Sequence, residues 1–226
     1  MKRSEINTIL QAADDFIRSF GVPLPPFAHA SPDVLRKEDN AWIRARRLGW
    51  DVTDYGLGRF AAQGLALFTL RNGTSVELSA GRGMVYAEKL LVVRRDQRAP
   101  MHTHRIKTED IINRGGGRLI VELYPSTPDG DRDHDAPIRV MSDGIARTLA
   151  PGDKLSLAPG ESVTLRPGDW HAFWAEGSDC LIGEISSVND DDTDNVFDPP
   201  LPRFPTVTED AAPWRLLVSD YPHIRD

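Results

Sequence analysis

The sequence holds one cysteine, Cys180, in 226 residues, so no intrachain disulfide can form and a Cys-rich zinc site is excluded. That cysteine usage predicts a reducing, cytoplasmic setting. Positive charge is in deficit: 27 Lys and Arg stand against 34 Asp and Glu, a net charge of −7, and the pI is near 5.4. A nucleic-acid binder carries the opposite balance, so neither nucleic acid nor an anionic membrane is an expected partner. Long apolar runs are missing as well. Met1 to Phe20 is interrupted by Glu5, Asp14 and Asp15, which argues against a signal-peptide core, and no stretch approaches the roughly 20 apolar residues of a membrane span. What is present is 40% hydrophobic residues, enough to bury the core of a single globular domain.

The pattern divides the chain into three stretches. Within 1–48, Ile6, Ile9, Leu10, Ala13, Phe16 and Ile17 recur at helical spacing behind Ser4 as cap, predicting an amphipathic helix that stops before Gly21 and the prolines at 23, 25 and 26. A second short helix is predicted around Pro32 to Asp39, with Ser31 as its cap. Within 49–188 the runs 64–70, 85–93, 118–124, 162–165 and 180–185 are separated by turn signals such as Arg71-Asn72-Gly73, Pro151-Gly152-Asp153 and Pro167-Gly168-Asp169. That spacing predicts a mostly β, antiparallel sandwich or barrel, with no helix able to cross between parallel strands. Residues 189–226 contain prolines at 199, 200, 202, 205, 213 and 222 and read as an extended arm with no fold of its own. The acidic run Asp190, Asp191, Asp192 and Asp194 in that arm reads as a solvated turn.

The chemistry concentrates in Met101 to Gly117. His102 and His104 lie two apart, and on a strand such residues project from one face, so both imidazoles reach one ion. Glu109 follows five residues after His104, which requires a turn or bulge before its carboxylate returns to the same point. His171 follows the turn at Pro167-Gly168-Asp169, opens the aromatic run His171-Ala172-Phe173-Trp174, and is placed to close the site from a neighbouring strand. Imidazole and carboxylate are ligand types for transition metals. Taken singly, any histidine is as well explained by a solvated surface, and His29, His134 and His223 keep that reading.

The set resembles the cupin superfamily, whose first motif is G-x5-H-x-H-x(3,4)-E-x6-G and whose second is G-x5-P-x-G-x2-H-x3-N. The segment His102-x-His104-x4-Glu109-x6-Gly116 fits the first, except that Asp96 stands where the opening Gly is expected. Gly160, Gly168 and His171 fit the second, while Arg166 replaces its Pro and Ala175 its Asn. These departures affect turn geometry and none of the four candidate ligands. The segments MHTHRIKTEDIINRGGG, PGDWHAFWAEG and GEISSVNDDDTDN, with the opening MKRSEIN, resemble the bacterial D-lyxose isomerase family over nearly the whole chain. The resemblance implies a cupin (double-stranded β-helix, jelly-roll) barrel with short N-terminal helices. It also implies manganese, or cobalt or another divalent ion, held by His102, His104, Glu109 and His171. The implied reaction interconverts D-lyxose with D-xylulose, and D-mannose with D-fructose, through a cis-enediol. Cupin relatives suggest a homodimer.

Three neutral imidazoles and one carboxylate leave an octahedral ion two positions for adjacent sugar oxygens. Isomerisation then needs a base for the C2 proton, and a Glu in low-dielectric surroundings is tuned upward toward neutrality. Glu184 is the first candidate, because it interrupts the apolar run Cys180 to Ile185 on what reads as the strand after His171. Its alternative is a structural ion pair with an Arg such as Arg166. Lys107, and Lys89, which alternates with Val85, Ala87, Leu91 and Val93, are candidate donors to the sugar or its enediolate; a surface, snorkelling role is the alternative for both. Trp170, Phe173 and Trp174 either line a sugar pocket or belong to the core. The same ligand set also suits a ferrous dioxygenase or a non-catalytic sugar-binding cupin. A free sugar is expected over a phosphorylated one, since Gly115-Gly116-Gly117 precedes a strand and opens no helix to cradle phosphate.

Overall fold

A computed structural model describes residues 1–223, so the last three residues of the expected arm lie outside the described residues. The strands are β1 (Gly49–Thr53), β2 (Leu65–Asn72), β3 (Tyr86–Val93), β4 (Arg98–His104), β5 (Glu109–Tyr124), β6 (Ile138–Ser142), β7 (Ile145–Leu149), β8 (Lys154–Leu157), β9 (Ser162–Leu165), β10 (Trp170–Ser187) and β11 (Asn195–Phe197). Every pairing between them is antiparallel. The runs 64–70, 85–93 and 162–165 fall on β2, β3 and β9. The remaining runs are pieces of longer strands. Residues 118–124 form the second half of β5, and the run opened by His171 lies on the same strand as 180–185, which sequence divided into two.

β5 and β10 make a long ribbon whose halves have different neighbours. The first half of β5 pairs with β9 and its second half with β8. The second half of β10 pairs with β3 and its first half with β4. The ribbon therefore belongs to two layers at once, β1-β2-β3-β10-β5-β9-β6-β7 and β11-β4-β10-β5-β8. They close over a shared core that includes Leu67, Leu91, Ile111, Leu123, Phe173 and Ile182, which is the cupin arrangement.

The ribbon bends where its register shifts, between Glu176 and Cys180 and again between Leu181 and Ile182. Opposite that bend lies Gly115-Gly116-Gly117, which sits inside β5 and does not precede a strand. Gly116 has φ +95°, and a Cβ there would lie 2.0 Å from the Asp179 carbonyl oxygen. Only glycine lets the two backbones approach so closely at positive φ.

Around this barrel, α1 (Arg3–Ser19) buries Ile6, Ile9, Leu10, Ala13 and Ile17 against Trp50, Phe68 and Leu217. Ser4 is not its cap. Lys2 holds that position, while the Ser4 backbone N–H and hydroxyl donate to the Asp210 carboxylate at 2.9 and 2.7 Å. A carboxylate from the far end of the chain thus satisfies the free N–H at the positive end of the helix. The second expected helix is short: α2 covers Pro32–Leu35, capped by Ser31 as predicted. The chain then passes through a single 3-10 turn, Glu38–Asn40, into α3, Ala41–Ala45. α4 (Ser75–Ala80), between β2 and β3, was not anticipated although Thr74 and Glu77 close a reciprocal capping box. The C-terminal arm lays β11 beside β4 and binds Arg3 through Glu209 and Asp220. It ends in a 3-10 segment, Val218–His223. Among the described residues no helix is long and apolar enough to cross a membrane.

Gly116→Ala is expected to lower unfolding stability by roughly 3 kcal/mol or more, through strain and backbone collision together. Gly144→Ala, at φ +77° with nothing within 4 Å, should cost only the left-handed strain, about 1–2 kcal/mol. Urea unfolding of the two variants makes the comparison; equal losses would mean that crowding at the ribbon bend is not what requires Gly116.

Candidate active site

Strand alternation delivers His102 and His104 from β4 to one face, as the spacing predicted. β10 brings His171 directly opposite His102, with ring centroids 4.1 Å apart. Between β4 and β5 the chain makes the turn that the spacing demanded and re-enters the sheet at Glu109. One ligand atom from each of His102, His104, Glu109 and His171 lies within 4.8 Å of all the others.

The imidazoles are oriented from behind. His102 Nδ1 is 2.9 Å from the Pro100 carbonyl and His171 Nδ1 is 3.0 Å from the Asp169 carbonyl. A carbonyl only accepts, so each Nδ1 carries the proton and each Nε2 presents its lone pair to the centre. His104 Nδ1 lies 3.4 Å from the Asp194 carboxylate. At the centre, Glu109 Oε1 is 3.3 Å from His104 Nε2 and 3.1 Å from His171 Nε2. All three atoms are buried, and none has a hydrogen-bond partner. Buried polar atoms are seldom left unpaired. Three of them converging on one point, with imidazole and carboxylate chemistry, fit a transition-metal ion. Burial, reinforced by His171 and His104, pushes His102 well below its ordinary pKa, which keeps it in the neutral form that binds metal.

Beyond Glu109 the buried charges alternate. Lys107 Nζ contacts Glu109 at 2.6 Å and Glu184 at 3.0 Å, and Lys89 Nζ lies 3.2 Å from Glu184. Lys89 and Glu184 are cross-strand partners on β3 and β10, so the apolar alternation around Lys89 does point inward, and neither lysine is at the surface. The partners of Glu184 are these lysines and not Arg166, which is exposed beside Asp169. The expected upward tuning of Glu184 is also corrected. Burial alone would raise it, but Lys107 and Lys89 hold it below the ordinary carboxylate value. Glu109 is held well below for a similar reason, burial being outweighed by Lys107 and His104.

Only part of the acidic run is the solvated turn that the sequence predicts. Asp194 is buried, accepts hydrogen bonds from the backbone N–H of Ile106 and Lys107 at 2.7 and 3.2 Å, and backs His104. Asp191 lines the cavity beside Lys89 and Arg203, while Asp192 is exposed and pairs with Arg47. The available signal was position: Asp191 and Asp194 follow Ser187, the end of the strand that carries Glu184, by four and seven residues. Of the three aromatic candidates only Phe173 faces the cavity, together with Tyr55 and Phe197. Trp174 lies under Arg98 and Lys154 on the outer side, and Trp170 packs in a separate cluster with Met101 and Ala172.

A cupin barrel with three histidines and a glutamate converging inside it defines the class: a cupin with a cluster that could hold a divalent metal ion, beside a small polar cavity. The fold is that of L-ribose isomerase from Cellulomonas parahominis, solved with L-ribose (TM-score 0.58, 16% identity, 92% of this chain and 98% of that one). It is also that of L-ribose isomerase from Acinetobacter sp. DL28, solved with the same sugar (TM-score 0.57, 14% identity, 87% of this chain and 92% of that one). Sequence narrows the class. The family model described as D-lyxose isomerase matches residues 1–221. The D-lyxose/D-mannose isomerase of Serratia proteamaculans is 48% identical over 98% of both chains, and that of Escherichia coli O157:H7 is 46% identical over 100% of both. The chain belongs to the D-lyxose isomerase family.

The depressed carboxylates set the acid behaviour of the metal-free protein. Because Glu109 and Glu184 are held below their unfolded values, the unfolded chain binds more protons. The stability they contribute is complete above about pH 5 and is lost as pH falls through their folded values. Lys107→Met leaves two buried carboxylates short of a cation, an expected loss of about 3–5 kcal/mol at neutral pH that shrinks toward pH 4 as one of them takes a proton. Urea unfolding of metal-stripped wild type and variant from pH 4 to 7 measures both; a difference independent of pH would mean that these pairs do not govern the acid limb.

Proposed function

We propose that the protein is a divalent-metal-dependent aldose–ketose isomerase acting on free D-lyxose and D-mannose, with D-xylulose and D-fructose as products and a cis-enediol between them. Family membership supports the reaction. The observation that carries the mechanism is the buried line Glu109, Lys107, Glu184, which connects the metal-type cluster to a cavity with an ionised carboxylate. In this reading His102, His104, Glu109 and His171 hold the ion. Manganese is the expected occupant and cobalt a substitute, since four protein ligands leave an octahedral ion two positions but fill the shell of four-coordinate zinc. A divalent ion there supplies Lewis-acid polarisation of the C1 carbonyl and the C2 hydroxyl.

The remaining work falls to protein groups. Glu184 removes the proton from C2 and returns it to C1, while the hydroxyl proton passes from O2 to O1 across the cis-enediol. Its two lysine partners keep it ionised, the form the first step needs. As negative charge develops on the sugar oxygens, Lys107 donates to them, loosens from Glu184 and lets that carboxyl rise toward the pKa of a proton donor. Lys89 keeps Glu184 aimed at the cavity from the other side. Tyr55, Phe173 and Phe197 offer apolar faces to the sugar C–H groups and exclude water. An oxygenase or a purely binding cupin has no comparable use for a buried carboxylate between two lysines.

We take the chain as one domain, in which the extension 1–48 and the arm from 189 serve the barrel 49–188. A homodimer fits the outward face where Tyr86, Ile185 and Met141 stand exposed on β3, β10 and β6. A cytoplasmic setting fits the single buried thiol, Cys180.

His171→Ala should weaken manganese binding at least as much as the 10- to 100-fold typical of changes around a metal's ligands, read by dialysis against a metal buffer; full retention would remove His171 from the ligand set. Add-back to stripped protein should restore turnover with manganese or cobalt and poorly with zinc. Glu184→Gln, folded and metal-loaded, should exchange the C2 hydrogen of D-lyxose with deuterated water about 10²–10⁴-fold more slowly. Near wild-type exchange in that variant would hand the base to another group.

A further inference from the structure

We propose that Arg203, carried by the C-terminal arm, determines sugar specificity by binding the hydroxyls at the end of the open chain away from the metal centre. The inference rests on the isomerase reading and deepens it by assigning the far subsite.

The polar line that starts at the metal cluster does not end at Lys89. Lys89 Nζ donates to Asn189 Oδ1. Asn189 Nδ2 donates to Asp191 Oδ2 at 2.9 Å. Asp191 Oδ1 then accepts from Arg203 Nε at 3.1 Å, and Asp51 Oδ2 accepts from Arg203 Nη2 at 2.8 Å. Two carboxylates therefore fix the plane of the guanidinium. Its third nitrogen, Nη1, is buried and has no hydrogen-bond partner, and Arg203 lines the same cavity as His102, Lys107 and Glu184. A guanidinium carries five N–H donors in a rigid fork, and leaving some of them dry without an acceptor is costly. The geometry is that of a donor prepared for a ligand.

The charge around Nη1 identifies the chemistry of that ligand. Asp51 and Asp191 already pair with Arg203, so an anionic group arriving at Nη1 would meet two carboxylates and one shared cation. A hydroxyl suffers no such repulsion: it accepts from Nη1 and donates to Asp191 through its own hydrogen. A row of sugar hydroxyls can thus run along the polar line while the C–H faces lie against Tyr55 and Phe197. With C1 and C2 at the metal end, Arg203 meets the hydroxyls on C4 or C5. The same argument disfavours a terminal phosphate.

The experiment is a cycle of protein and substrate changes on the manganese-loaded enzyme. Wild type should turn over D-lyxose analogues deoxygenated at C4 or C5 with kcat/KM lowered about 10- to 100-fold at one of the two positions, the loss expected for a hydrogen bond from a charged donor. Arg203→Lys keeps a cation between Asp51 and Asp191 but gives up the fork. It should lose a similar factor on D-lyxose, keep its manganese, and discriminate little against the same deoxy sugar, since the two deletions remove one interaction. Wild type that accepts both deoxy sugars as readily as D-lyxose overturns the assignment, and does so even if the lysine variant fails to fold. Undiminished discrimination by a folded Arg203→Lys protein also overturns it, as does a better than tenfold preference for D-mannose 6-phosphate over D-mannose. Absence of C2 hydrogen exchange with every free sugar is a different result, which sinks the isomerase reading itself.

Discussion

Lys107 sits in the barrel interior between two carboxylates, Glu109 on the metal side and Glu184 on the cavity side, and the site depends on that placement. Without a cation between them the two buried acids could not both ionise. One of them would take a proton. Lys107 makes the two ionisations compatible and ties them together, because any movement of its ammonium toward one carboxylate weakens its hold on the other. A turn residue can do this because Asp194 fixes the turn by accepting from the backbone N–H of Ile106 and Lys107.

The bent ribbon of β5 and β10 explains why these groups meet. Its long strands cross both layers, so His171 near the start of β10 faces β4 while Glu184 near its end faces β3. The two residues are far apart along one strand and come together around Glu109, His171 directly and Glu184 through Lys107, because the ribbon folds over at the glycine run. The glycine run, which the sequence shows is no phosphate cradle, therefore serves the site indirectly, by letting the strands close at the bend.

Much of this was legible in the residues. Period-two alternation is local, so it placed His102 beside His104 and turned Lys89 inward. The resemblance to cupins tied His171 and Glu109 to the same centre. What was not legible depends on contacts across long separations. Residues 175–179 fall between two runs that read as separate strands, yet β10 carries through them, paired with β5 on both sides of a register shift. Ser4 looked like a cap and Asp210 takes that role. Composition made Asp191 and Asp194 look solvated, and only Arg203, His104 and the turn at Lys107 account for their burial. Desolvation was foreseen for Glu184; the two lysines that reverse its effect come from elements separate in sequence, and no spacing rule joins them.

Charge inside this barrel is distributed in alternation. From Glu109 the line runs through Lys107, Glu184, Lys89, Asn189, Asp191 and Arg203 to Asp51, and every ion in it has an opposite charge or an amide beside it. A block of like charges in the same volume would drive protonation or unfolding, whereas alternation leaves each ion compensated while the groups facing the cavity still keep unused donors and acceptors. Such a line cannot come from one strand, because alternation along a strand sends neighbouring residues to opposite faces. It has to be assembled from β1, β3, the β4–β5 turn, β5 and β10, each contributing one residue, and from the arm, which contributes three. That requirement gives the C-terminal arm its place in the structure: it supplies Asn189, Asp191 and Arg203, the polar wall that the barrel strands leave open.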